Sequence, residues 1–193
     1  MDRAGGGHAR GAAACRKGGV APALVRLPVA HGGGGGAADG TVTAGNACPL
    51  NDGAAAVLVM SADKAKAMGL DPIARIVSSG VSALNPEIMG LGPIDACKQA
   101  MARAGMSIGD IDHVEINEAF STQYIACERE LELDRNITNV NSGGVAIGHP
   151  LAASGTRITM HLLYELKRRG KKYGVGSACI GGGQGIAVVV EAL

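Results

Sequence analysis

From residue 53 to the C-terminus, short apolar runs alternate with stretches of helical period. That alternation restricts the fold more than any other property of the chain. GAAAVLVMS (53–61) is a compact apolar run of the kind found in strands buried on both faces. Ser61 stands where it can cap a short helix, ADKAKAM, which Gly69 stops. PIARIVSSGVSAL (72–84) reads as a long strand. Pro93 then opens a helix through PIDACKQAMARAG, with Ile94, Cys97, Met101 and Ala104 on one face. DHVEIN (112–117) is strand-like, FSTQYIACERELEL (120–133) helical, and ITNVN (137–141) strand-like again. AASGTRITMHLLYELKRRG (152–170) is a helix with Ile158, Leu162 and Leu166 at spacing four and a basic C-terminal end, as the helix dipole favours. KYGVGSACIGGGQGIAVVVEA (172–192) closes the chain as two strands around a glycine-rich turn. The order predicts an α/β layered domain: a mostly parallel sheet, helices on both faces, and a C-terminal antiparallel hairpin.

In such sheets, ligands gather at loops leaving the C-terminal ends of strands. Three loops qualify, and each carries a residue suited to chemistry. Asn117 and Glu118 follow 112–116; alone, such a pair is as well explained by turn or capping chemistry. His149 sits in GGVAIGHP between Gly148 and Pro150, which hold its backbone; the bland alternative is a core histidine satisfied by carbonyls. Cys179 precedes Gly181, Gly182 and Gly183. A buried structural thiol is the ordinary outcome there, but a thiol at a glycine turn also lies beside backbone N–H groups able to bind an oxyanion. A Cys-His pair suits acyl transfer from a thioester, since the thiol moves a proton and imidazole polarises a carbonyl or assists a thiolate.

Composition excludes several classes. Net charge is +1, which gives no attraction to nucleic acid or to an anionic membrane. No apolar run approaches the roughly 18 residues of a membrane span. The five cysteines are an odd number and form no C-x-x-C pair, so reduced thiols and no metal site are expected. Hydrophobic residues make up 47% but aromatics only 2%, so the core must be aliphatic. Residues 1–40, with the run Gly32–Gly36, no serine and few acids, hold no period. They are expected to be a disordered or non-native segment rather than a transit peptide. A GC-rich gene read out of frame would give such a composition.

Six blocks, in order, carry a resemblance: GTVTAGN (40–46), NDGAAAVLVMS (51–61), PEIMGLGP (86–93), NEAF (117–120), GGVAIGHPLAASG (143–155) and CIGGGQG (179–185). Together they resemble the C-terminal part of thiolases. The resemblance implies a remnant of the N-terminal half at 41–62 and a C-terminal domain at 63–193. It implies acyl exchange between coenzyme A thioesters, by Claisen condensation of two acetyl-CoA or thiolysis of 3-ketoacyl-CoA. Coenzyme A thioesters would be substrates, with no further cofactor, and intact family members suggest a homo-oligomer, dimer or tetramer. Carried over by motif, Cys179 would take the α-proton of an acetyl thioester. His149 would activate a nucleophilic cysteine and face a thioester oxygen. Asn117 would hold a water completing that oxyanion site, and the Gly181 N–H would serve a second. Phe120 and Cys48 would line the coenzyme A path.

The family's nucleophilic cysteine lies in a Cys-small-Ser-Gly context that this chain lacks. Cys48 is followed by Pro49 where the family has a small or hydroxyl residue after GNA, and 143–149 is one residue shorter than the common form. A catalytically inactive piece, or a structural subunit of the same fold, is therefore the alternative. The cytoplasm is the expected compartment, with the mitochondrion left open. A hydrolase elbow at GMSIG (105–109), with His31 in an HGGG-like stretch, is disfavoured because Ser107 follows a helix instead of a strand. GGGQG enters a strand, so it lacks the helix N-terminus of a dinucleotide loop.

Overall fold

The computed structural model describes residues 41–193, so the expectations for the glycine-rich segment 1–40 and His31 lie outside the described residues. Nine regular elements run in order: α1 (Ala62–Ala67), β1 (Ala74–Ala83), α2 (Gly92–Arg103), β2 (His113–Ile116), α3 (Ser121–Glu130), α4 (Gly144–Ile147), α5 (Ser154–Arg169), β3 (Tyr173–Ile180) and β4 (Gln184–Ala192). The punctuation expected from sequence is in place. The Ser61 hydroxyl accepts the Lys64 N–H at 3.2 Å at the start of α1. Pro93 lies in the first turn of α2, and Gly170 ends α5 in the left-handed region at φ 62°.

The sheet order is β1-β4-β3-β2. Its α/β layered character is as expected, but the sheet is mixed instead of mostly parallel. β2 runs parallel to β3, whereas β1 and β3 both pair antiparallel with β4. The hairpin makes β4 oppose β3, and β1 pairs with the other side of β4 in the same antiparallel sense.

Two faces bury two cores. On one, Ile94, Cys97, Ala100 and Met101 of α2 pack with Val114 and Ile116 of β2. On the other, Leu162, Leu163 and Leu166 of α5 pack with Val190. The alternation along β2 thus sends Val114 and Ile116 towards α2 and leaves His113 and Glu115 for the α5 side.

Two expected strands are absent. Residues 53–61 are extended without any ladder, and Val57, Leu58 and Val59 are exposed. Among the described residues no strand lies beside them, and a strand exists only by pairing. At 137–141 there is a single parallel bridge, Val114 to Thr138. Asn139 turns away at φ 45°, and its side chain takes over the ladder. It accepts the Ile116 N–H at 2.9 Å and donates to the Ile116 carbonyl at 2.9 Å. The glycine turn expected after it contains one helical turn, α4.

Candidate active site

The candidate residues converge where β2 and β3, running parallel, reach their C-terminal ends. Asn117 follows β2 directly, and its N–H donates to the Ser177 carbonyl at 2.8 Å, two residues before Cys179. The segment preceding α1 closes the same edge. The Cys48 N–H donates to the Ala119 carbonyl at 3.0 Å, and the His149 N–H to the Pro49 carbonyl at 3.0 Å. Ala47 bridges Phe120, which is half-buried beside the site.

The glycine loop is shaped by Glu118. Its carboxylate accepts the Val145 N–H at 3.2 Å and the Asn139 amide at 3.1 Å. A Cβ at Gly143 would lie 2.3 Å from that carboxyl carbon, so the loop closes on Glu118 only without a side chain. Glu118 is thus a brace.

The hydrogen bonds around His149 select its tautomer. Its Nδ1 lies 2.6 Å from the Ser154 Oγ, which itself donates to the Pro150 carbonyl at 3.1 Å. The single hydroxyl proton is committed, so Nδ1 carries a hydrogen and Nε2 presents its lone pair. That lone pair faces the Asn117 Nδ2 at 3.5 Å. Burial, reinforced by the Arg157 charge, holds the His149 pKa below the ordinary imidazole value. It is a neutral base at neutral pH. Ser154 is the functional residue that motif reading missed; a hydroxyl five residues after the histidine, in the first turn of the next helix, was the available signal.

Asn117 is 1% exposed and its Oδ1 is buried without a partner. An orphaned acceptor of this kind is a place for an ordered water or a substrate donor. Cys179, at the end of β3, is half-buried, and its thiol pKa is pushed up to about 11, chiefly by burial, with the nearby Cys48 adding to it and its own N–H opposing. Burial raises Cys48 as well. Cys97 and Cys127 are core residues instead, 1% and 0% exposed. Gly181 lies in the exposed hairpin turn with open space around it.

Chemically, then, the edge holds a neutral imidazole base, an unpartnered amide oxygen, and a half-buried thiol that is strongly basic once ionised. Ser107 is not part of it. That hydroxyl donates to the Asp110 carboxylate at 2.7 Å and starts a one-turn helix on the surface, so no hydrolase elbow exists there.

Residues 70–192 match the family described as "Thiolase, C-terminal domain", and residues 36–63 match "Thiolase, N-terminal domain". The chain is 58% identical over 153 residues to the 3-ketoacyl-CoA thiolase, mitochondrial, of Homo sapiens, covering 79% of this chain and 38% of that protein. It is 55% identical over 153 residues to the acetyl-CoA acetyltransferase of Paracoccus denitrificans, covering 79% of this chain and 39% of that protein. The crystal structure of the Bacillus anthracis acetyl-CoA acetyltransferase superposes with a TM-score of 0.78 at 52% identity, over 80% of this chain and 39% of that one. Human mitochondrial 3-ketoacyl-CoA thiolase in complex with CoA does so with a TM-score of 0.78 at 54% identity, over 87% and 41%. The chain therefore spans about two fifths of the length of these relatives.

Proposed function

Because the chain belongs to the thiolase family, we propose that its site supplies the acid/base and oxyanion side of acyl exchange between coenzyme A thioesters. The arrangement of His149 supports this most directly. A serine fixes its Nδ1–H, and the Nε2 lone pair is held only by a long 3.5 Å contact with the Asn117 amide, which an incoming thiol would replace. Such an imidazole takes the proton of a nucleophilic thiol. As imidazolium it then donates to the thioester oxygen on which negative charge develops. The orphaned Asn117 Oδ1 holds a water that donates to the same oxygen.

Cys179 removes the α-proton of a bound acetyl thioester. A thiol with a pKa near 11 gives a thiolate basic enough for a carbon acid, and returns the proton readily. The Gly181 N–H serves the second oxyanion, and Phe120 and Cys48 flank the thioester chain. The motifs of this chain include no Cys-small-Ser-Gly nucleophile. The acyl-accepting thiol is therefore supplied from outside these motifs, and a homo-oligomer is part of the same reading. No helix among the described residues is long and apolar enough to cross a membrane. We assign the chain to the cytoplasm or the mitochondrial matrix; the free thiols of Cys48, Cys97, Cys127 and Cys179 support a reducing compartment.

The test is deuterium uptake into the acetyl group of acetyl-CoA in heavy water. We expect exchange with the intact chain and a fall of about 100-fold or more in Cys179→Ala. Exchange retained in the variant refutes the role of Cys179. One observation favours a second reading, in which the chain keeps the fold without the activity: the exposed apolar run at 57–59 lacks the strand neighbours such a run requires. A folded chain with no exchange supports it.

A further inference from the structure

Away from the thioester edge, between β2 and α5, three donor side chains meet. His113 and Glu115 point to the same face of β2, and His161 comes from the middle of α5. One imidazole nitrogen from each histidine and one carboxylate oxygen of Glu115 all lie within 4.8 Å of one another. His113 Nε2 is 3.1 Å and His161 Nδ1 3.0 Å from the same oxygen, Oε1 of Glu115. His113 is 0% and Glu115 2% exposed, whereas the His161 side chain, at 28%, reaches the surface.

We propose that this cluster binds one divalent cation of the zinc type, with two imidazoles and one carboxylate as ligands and a water in the fourth position. Two histidines and a glutamate are a donor set that zinc accepts, and metal–ligand bonds of about 2.0–2.2 Å set tetrahedral donors about 3.3 Å apart. The two distances to Glu115 are already near that value, so only the two imidazoles must draw closer. Polar satisfaction gives a second, independent pointer. His161 Nδ1 is buried, and despite its nearness to Glu115 it is not aligned to make a hydrogen bond. An imidazole nitrogen buried beside a carboxylate without an aligned hydrogen bond suits a cation.

An outer partner is present too. The Asn141 side-chain amide, which donates to Glu165 Oε2 at 3.0 Å, also lies 3.1 Å from His161 Nε2 and fixes the ring, so the hydrogen sits on Nδ1 and the cation must displace it. His113 Nδ1 has no such partner. Glu115 also holds the His161 pKa above the ordinary imidazole value, against the opposing Arg157 charge, so a cation competes with a proton there. Both lower the affinity for the cation. The cation would clamp β2 to α5, and its binding would release the proton that His113 shares with Glu115.

The experiment uses the full chain, freed of metal, titrated with Zn2+ and, separately, Co2+. We expect one equivalent of zinc that is absent in both His161→Gln and His113→Leu. Thermal unfolding should rise by about 5 °C at hundredfold saturation in the intact chain. The cobalt form should show weak visible bands without the intense thiolate-to-metal absorption that cysteine ligands give. Zinc uptake unchanged in both variants, or a thiolate band, overturns the proposal. Should both variants fail to fold, ring-nitrogen NMR of the intact chain decides. Zinc must shift the ring signals of two of the five histidines, and a spectrum that zinc leaves unchanged also overturns it.

Discussion

At the scale of single residues, the site depends on two features, a committed hydroxyl proton and a raised thiol pKa. The Ser154 Oγ, held by the Pro150 carbonyl, leaves His149 Nδ1 no choice but to donate. Ser154→Ala should release the ring, so that the Nε2–H tautomer becomes the major form. Ring-nitrogen NMR of His149 measures this, and stability should fall by about 1 kcal/mol for the lost bond. Cys179 is pushed up to about 11, so its thiolate is scarce at neutral pH. Its alkylation by iodoacetamide should accelerate about tenfold per pH unit from pH 7 to 9, followed by peptide mass mapping. A plateau below pH 9 would show a lower pKa than burial imposes. Sequence made His149 and Asn117 legible because glycine, proline and a preceding strand frame them. Ser154, and the bracing role of Glu118, were not legible, because each matters only through a partner that folding brings up. Still less visible were His113, Glu115 and His161, since no spacing rule joins a strand to a helix 46 residues on.

At the scale of elements, α2 lies on the sheet with backbone against backbone. A Cβ at Gly80 of β1 would stand 2.2 Å from the Ala96 carbonyl oxygen, and one at Gly185 of β4 would stand 2.2 Å from Gly92. Neither neighbour is a side chain that can swing away. Gly80→Ala should cost about 3 kcal/mol in urea unfolding. Gly155→Ala in α5, where nothing lies within 4 Å, should be neutral or stabilising by up to about 1 kcal/mol. Capped helices were the elements best legible in sequence: Ser61, Pro93 and Gly170 mark ends that local chemistry determines. The run 53–61 was not, because its composition is that of a strand while strand formation depends on a neighbour. Nor was 137–141, where backbone pairing stops after one bridge and an asparagine side chain continues it at Ile116.

At the scale of the whole molecule, the four strands and their two helical layers leave a polar-poor margin. Leu50, Leu58 and Val59 are 78%, 79% and 68% exposed, in the segment that also supplies Cys48 to the site. Apolar surface gathered on one stretch of chain drives association. Replacing Leu58 and Val59 by lysine should lower the apparent mass in concentration-dependent light scattering. The helical far-UV signal should stay unchanged, since neither side chain is in either core.

The asparagine that ends the sheet has one more effect. Beside β2, the open edge is closed by an amide that uses both of its polar atoms on Ile116. An incoming strand finds a saturated end-stop there, and at the other edge α2 blocks β1 in the same way: Gln99 accepts the Val81 N–H at 2.8 Å and Arg103 donates to the Ser79 carbonyl at 2.7 Å. Among the described residues, side chains borrowed from neighbouring segments thus guard both edges of the sheet against strand addition.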